Sequence, residues 1–160
     1  MQAQIVPIDS HHDEAMCHII KTVGAEFGAI GDGFGPSDAE VLHMSQHYSV
    51  SDHSGYFVIE QNGVVLGGGG IAPFAGSTER CELRKVFLSP QARGLGMGRQ
   101  LVAYCLQFAR EMGYAHCYLD TLHTMSGAIA LYEKLGFEHL PAPYSGTEHN
   151  GCDVWMECQL

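Results

Sequence analysis

The sequence predicts an α/β domain on a mixed central sheet, and three observations predict it. Short runs rich in β-branched and aromatic residues alternate with longer segments whose apolar residues recur at helical spacing. Glycines, several beside asparagine or at helix ends, mark the boundaries between them. The 160 residues, 46% of them hydrophobic, suffice for one domain, 1–160, with a real core.

The elements follow in order. Gln4 to Ile8 reads as a first strand. Ser10 then caps a helix with Asp13 three residues on, and Met16, Ile19, Ile20, Val23 and Phe27 continue at helical spacing. Gly28 to Pro36, with four glycines, is a loop. Ser37 and Glu40 form a second capping box, followed by Val41, Met44 and Tyr48 on a second helix. Tyr56 to Glu60 and Val64 to Leu66 flank Gln61-Asn62-Gly63, a hairpin signal. Gly67 to Gly70 weaken the second strand of that pair and invite close packing. Cys81 to Leu88 is a further strand, and a glycine-rich turn follows it. Leu101, Cys105, Phe108, Ala109 and Met112 mark one face of a strong helix ended by Gly113. Ala115 to Thr121 is a strand, Ser126 to Leu135 a helix closed by Gly136, and Phe137 to Leu140 and Cys152 to Cys158 are the last two strands. The predicted order is β-α-α-β-β-β-α-β-α-β-β.

Composition excludes several classes. No run approaches the ~18 apolar residues of a membrane span, and the start lacks the basic and apolar regions of a signal peptide, so a cytoplasmic location is expected. The six cysteines form no CxxC pair and read as free thiols. A net charge of −10 disfavours a nucleic-acid partner. Five of the eight Lys and Arg residues nevertheless lie between Arg80 and Arg99. That cluster is either an anion site or a solvated basic face.

The chemistry concentrates in Val86 to Arg99. A strand ends, the chain turns through Arg93-Gly94-Leu95-Gly96-Met97-Gly98, and a helix begins. Glycines admit positive φ and remove Cβ atoms, so the N–H groups of the helix start can close on an anion such as pyrophosphate. The P-loop pattern is absent, because Arg99 and Gln100 follow Gly98. A dinucleotide GxGxxG is missed by one residue, and Ser89-Pro90-Gln91-Ala92 separate the turn from its strand. Asp120 at the end of the next strand imitates the ribose-binding acid without the rest of that pattern. A merely tight turn leaves three glycines and the clustered arginines unexplained.

These residues resemble the GNAT N-acetyltransferase superfamily. Its [QR]-x-x-G-x-[GA] signature is met by Arg93, Gly96 and Gly98, and Leu88-Ser89-Pro90 is similar to its V-x-P strand end. Ala128 to Phe137 resembles the closing helix A-x-x-L-Y-E-x-x-G-F. Where the family often has asparagine, seven residues before the tyrosine, this chain has Met125, so a cofactor-side hydrogen bond is missing or comes from Thr124 or Ser126.

The resemblance implies a GNAT-like mixed sheet, acetyl-CoA as co-substrate without a metal, and transfer to a primary amine of a small molecule by direct attack in a ternary complex. It implies cofactor contacts at Phe87, Leu88, Arg93, Gly94, Leu95, Gly96, Met97, Gly98, Arg99 and Tyr132. Tyr132 would be the acid that protonates the leaving thiolate; spacing alone reads it as a core tyrosine. Glu82 would be the base, or else a strand residue paired with Arg84 or Arg80. His149 is a second base candidate. Phe34, Tyr144 and His149 would bind the acceptor, between Gly28–Pro36 and Tyr144–Cys152, where carboxylates without basic residues favour a neutral or cationic amine. His43 and His47 sit at i, i+4, but no third metal ligand accompanies them. A peptide N-acetyltransferase and a non-catalytic acyl-CoA sensor are the alternatives. Oligomeric state, homodimer included, is open.

Overall fold

A computed structural model of the chain describes residues 2–147 and 150–160. Its strands are β1 (Gln4–Pro7), β2 (Gly55–Gln61), β3 (Val64–Pro73), β4 (Arg80–Leu88), β5 (His116–Thr121), β6 (Glu138–Leu140) and β7 (Val154–Gln159). Its α-helices are α1 (Asp13–Glu26), α2 (Met97–Glu111) and α3 (Ser126–Lys134). The strands form one mixed sheet in the order β1-β2-β3-β4-β5-β7-β6. Among the described residues, only the β4–β5 pair is parallel.

The predicted apolar periods decide which face each helix covers. Met16, Ile19, Ile20 and Val23 of α1 bury against Tyr56, Val58 and Phe87 on one face. On the other face Leu101, Val102, Cys105 and Ala109 of α2, with Tyr132 of α3, pack on Leu83, Cys117, Leu119 and Met156. Each large aliphatic side chain removed from water this way contributes about 1.5–3 kcal/mol.

The hairpin forms as expected, with Asn62 and Gly63 both at positive φ, as a two-residue type I′ turn requires. Its second strand runs through the glycines to Pro73. Tyr56 fills the space that side chains would need: a Cβ on Gly68 or Gly70 would stand 2.7 or 2.6 Å from its ring. Its hydroxyl crosses the strand to donate to the Lys85 carbonyl at 2.6 Å.

Two local expectations are corrected. Asp9, not Ser10, caps the first helical turn: its carboxylate accepts from Ser10 N–H, and its own N–H donates to His12 Nδ1 at 3.0 Å. The second helix is a chain of 3₁₀ turns, Gly35–Ser37 and Ala39–Gln46, broken at His43 (φ −143°, ψ 58°). Distant groups take the residues that an α-helix needed. The Asp13 carboxylate holds Ser45 through N–H at 2.8 Å and Oγ at 2.6 Å, and Glu40 turns to Lys85 instead of capping.

The feature that opens a site is in β4. Lys85 has φ 50°, and the β3–β4 register shifts between Gly68 and Gly70, a β-bulge that bends the strand. β4 pairs with β5 only at Arg80, Cys81 and Glu82. Beyond Glu82 the two parallel strands separate, leaving the β5-facing edge of Leu83 to Leu88 without a strand partner.

Candidate active site

The gap between β4 and β5 holds two cavities. One is lined by Val86 and Leu88 of β4, Arg93, Gly94, Gly96, Gly98 and Arg99 of the turn, Val23 and Phe27 of the α1 end, and Tyr132 of α3. The turn takes the expected form. Gly94 (φ 77°) and Gly96 (φ 80°) are left-handed, and Gly96 caps α2 without any side-chain cap bond. The first-turn N–H groups of Met97, Gly98 and Arg99 have no acceptor within the helix and lie at its positive end. A Cβ on Gly98 would stand 3.0 Å from Leu88 Cδ1, so a side chain there would crowd the cleft wall. These features fit a pyrophosphate, and the unpaired β4 edge fits the amides of a pantetheine arm.

The second cavity lies on the α1 side of the sheet. Phe34 and Pro36 wall it from the loop after α1, Glu82, Arg84, Lys85 and Phe87 from β4, and Asp120, Met125 and Cys152 from the far side. The loop after α1 meets the segment before β7 beside Phe34. Gly151 N–H donates to the Gly33 carbonyl at 2.9 Å, and the Phe34 ring lies where a Gly151 Cβ would be. Val86, Met125 and Tyr132 line both cavities.

Tyr132 is 5% exposed, and burial raises its phenol pKa well above the ordinary value, so it stays protonated. Glu82, also 5% exposed, accepts from Arg84 Nε at 2.8 Å. Lys85 Nζ bonds Asp38 at 2.9 Å and Glu40 at 3.5 Å, and Arg84 lies 3.9 Å from Glu40. Asp120 accepts from Thr147 Oγ1 at 2.5 Å. Among the described residues, two carboxylates (Glu82, Asp120) and two cations (Arg84, Lys85) line this cavity, and both cations are paired, Arg84 with Glu82 and Lys85 with Asp38 and Glu40. Cys152 is held as a thiol by burial and by the neighbouring Asp120 carboxylate.

The structure sorts the basic cluster that the sequence left undecided. Arg80 bonds Glu157 at 2.7 Å, and Arg84 and Lys85 face the second cavity. Only Arg93 and Arg99 reach the turn cavity. Arg93 donates to both Glu26 oxygens and, through Nε and Nη2, to the Leu88 carbonyl.

Other predicted positions scatter. Phe87 lines the second cavity, not the first. The Leu95 side chain is 64% exposed, and Met97 packs into the core. Tyr144 lies against Phe74 and Tyr118, under the Arg80 guanidinium, and donates to Glu157 at 3.0 Å, so it lines neither cavity. His149 lies outside the described residues. Thr124, considered as a stand-in for the family's asparagine, spends its hydroxyl on the Phe27 carbonyl at 2.7 Å. The residues missed from the sequence are Asp120, Cys152 and Lys85. For Asp120 a signal existed: with Cys117 and Leu119 in the core, alternation sends Tyr118 and Asp120 to the face that Glu82 occupies.

His43 sits at the kink, off any helical face shared with His47. His11, His12 and Glu60 come within metal-ligand distance of one another. The Asp9 N–H bonded to His12 Nδ1 leaves the proton on Nε2, which faces Glu60 Oε2 at 2.8 Å. That nitrogen has no lone pair for a cation.

Residues 27–137, through the turn and α3, match the Acetyltransferase (GNAT) family. The chain belongs to that family. It is 42% identical to an uncharacterised N-acetyltransferase of Escherichia coli K12, YjgM, over 91% of this chain and 88% of that one. It is 31% identical to rat N-acetyltransferase 8 over 62% of this chain, which spans about half of that longer protein. The fold is shared with a GNAT-family acetyltransferase of Staphylococcus aureus Mu50 (TM-score 0.86, 18% identity, 99% of both chains). It is also shared with the acetyltransferase yncA of Salmonella typhimurium, solved with acetyl-CoA (TM-score 0.78, 21% identity, 99% of this chain, 94% of that one). This GNAT protein is therefore an acetyl-CoA-dependent N-acetyltransferase. Among the described residues, no helix is long and apolar enough to cross a membrane.

Proposed function

We propose that this GNAT enzyme transfers acetyl from acetyl-CoA to a primary amine of a small molecule by direct attack, with both substrates bound at once. The observation that carries the proposal is the meeting of two cavities at Val86, Met125 and Tyr132. Acetyl-CoA supplies an activated thioester. The glycine turn and Arg99 would hold its pyrophosphate, and the free edge of β4 at Phe87 and Leu88 its amides. Glu82, in the second cavity, would take the proton of the incoming ammonium, directly or through water. Tyr132, kept protonated by burial, would return a proton to the thiolate. Among the described residues Cys152 is the one thiol lining the acceptor cavity, and its raised pKa argues against a cysteine-bound acetyl intermediate.

Two features favour a small acceptor. Phe34 walls the second cavity, and the Gly151–Gly33 bond ties its loop to the segment before β7, which argues against an open groove for an extended peptide. Its two cations are already paired with Glu82, Asp38 and Glu40, and the Asp120 carboxylate favours an amine without negative charge, a close pair being worth about 1–4 kcal/mol. The test is an amine panel scored by thiol release, then initial rates with both substrates varied. Intersecting lines with small neutral or cationic amines are expected. Parallel lines, turnover restricted to peptides, or preference for anionic acceptors would overturn the proposal.

A further inference from the structure

We infer that Met125 sets the length of the acyl group, admitting acetyl and excluding butyryl and longer chains. The inference rests on the acyl-CoA assignment of the turn cavity. Among the described residues, only Val86, Met125 and Tyr132 belong to both cavities, so the passage between them is their side chains. Val86 is short and Tyr132 is fixed by the core on the α2 side. Met125 is the residue that spans the gap. It stands in the loop between β5 and α3, yet its side chain packs with the α1-face cluster that contains Val23, Phe27 and Phe87.

That position is anchored twice. Thr121 Oγ1 contacts the Met125 sulfur at 3.5 Å, and the adjacent Thr124 hydroxyl is tied across the gap to the Phe27 carbonyl at 2.7 Å. A methionine is otherwise among the most adaptable of side chains. Held at both ends of its loop, this one stays in the passage.

The consequence is geometric. A thioester in the turn cavity must present its carbonyl carbon at the passage for an amine in the second cavity to reach it. Each carbon beyond the acetyl methyl then meets Met125 or Val86, or takes space needed by the acceptor. A single excess methylene in a close apolar site changes selection by about 10- to 200-fold.

Acyl-CoA affinity tests this without knowledge of the acceptor. Acetyl-, propionyl-, butyryl- and hexanoyl-CoA are titrated by calorimetry into the wild type, Met125→Ala, Met125→Leu and Val86→Ala, with melting temperature as the folding control. The wild type should bind butyryl-CoA at least about tenfold more weakly than acetyl-CoA. Met125→Ala should shrink that ratio about fivefold or more, and Val86→Ala, widening the same passage from β4, should move it the same way. Met125→Leu, close in volume, should preserve it. Equal affinity across chain lengths in the wild type, or an unchanged ratio in the folded Ala variants, would overturn the inference and leave the cofactor assignment standing. Failure of every acyl-CoA to bind would overturn both.

Discussion

Glu26 holds both terminal nitrogens of Arg93, at 2.7 and 2.9 Å, so the arginine of the glycine turn is paired with the end of α1. The same guanidinium lies over Phe27, 5.3 Å from the ring centroid. Both partners are partly solvent-exposed, so the pair adds little to stability. Its consequence is for binding. A pyrophosphate at the turn must compete with Glu26 for Arg93 and also meets the Glu26 charge. Glu26→Gln should therefore tighten acetyl-CoA binding about three- to tenfold, more at low salt than at high. Weaker binding in calorimetry would mean that the pair holds the cleft in shape instead.

The turn itself gives a sharper test. Gly96→Val forces a β-branched residue to φ 80°, and Gly98→Val drives a side chain toward Leu88 and Leu131. Either should lower acetyl-CoA affinity by at least about tenfold, since pyrophosphate and side chain contend for the same N–H groups. Wild-type affinity in a folded double variant would remove the turn as the binding site.

Tyr132→Phe deletes only the phenol oxygen. Acetyl-CoA affinity should stay near wild type while turnover falls about 10²-fold, the scale of general acid catalysis. Single-turnover rates check this apart from product release. An undiminished chemical step would assign the proton to water or another group.

Burial raises the pKa of Tyr132, and of Tyr56 and Tyr118 as well. The phenols keep their protons in the folded state beyond the pH at which the unfolded chain loses them. Their contribution to stability is thus complete below pH ~10, the ordinary phenol value, and is lost as pH rises past it. The melting temperature should fall above pH ~10, with the tyrosinate absorbance of these buried phenols appearing only as the chain unfolds. Tyrosinate absorbance from all seven tyrosines in the intact fold near pH 10 would contradict the burial.

Glu82→Gln keeps the shape and removes the base. Turnover should drop about 10²-fold or more at neutral pH, with partial recovery at high pH, where the acceptor amine is already deprotonated. The Arg84 contact at 2.8 Å makes a structural role the competing explanation. A loss that is the same at every pH would favour that explanation.

Near neighbours made much of the molecule legible. The apolar spacing in 16–23 and 101–109 gave the buried faces of α1 and α2. Asn62-Gly63 gave the hairpin, and Gly94-Leu95-Gly96 gave a turn whose positive φ values are local to those glycines. The second helix failed for a physical reason: Ser45 and Glu40 found better partners in Asp13 and Lys85 than in their own turn.

What the sequence by itself determined was the order of the strands and of the three α-helices, and the left-handed glycine turn before α2, because backbone preference and amphipathic spacing depend on residues a few positions apart. What only the tertiary structure decided was the destination of charge and the shape of the gap. Lys85 meets Asp38 and Arg93 meets Glu26 across 47 and 67 residues of chain. Glu82 and Asp120 share a cavity only because β4 and β5 run parallel and then part. Charge pairs and cavity walls depend on which strands lie side by side, and spacing along the chain does not specify that.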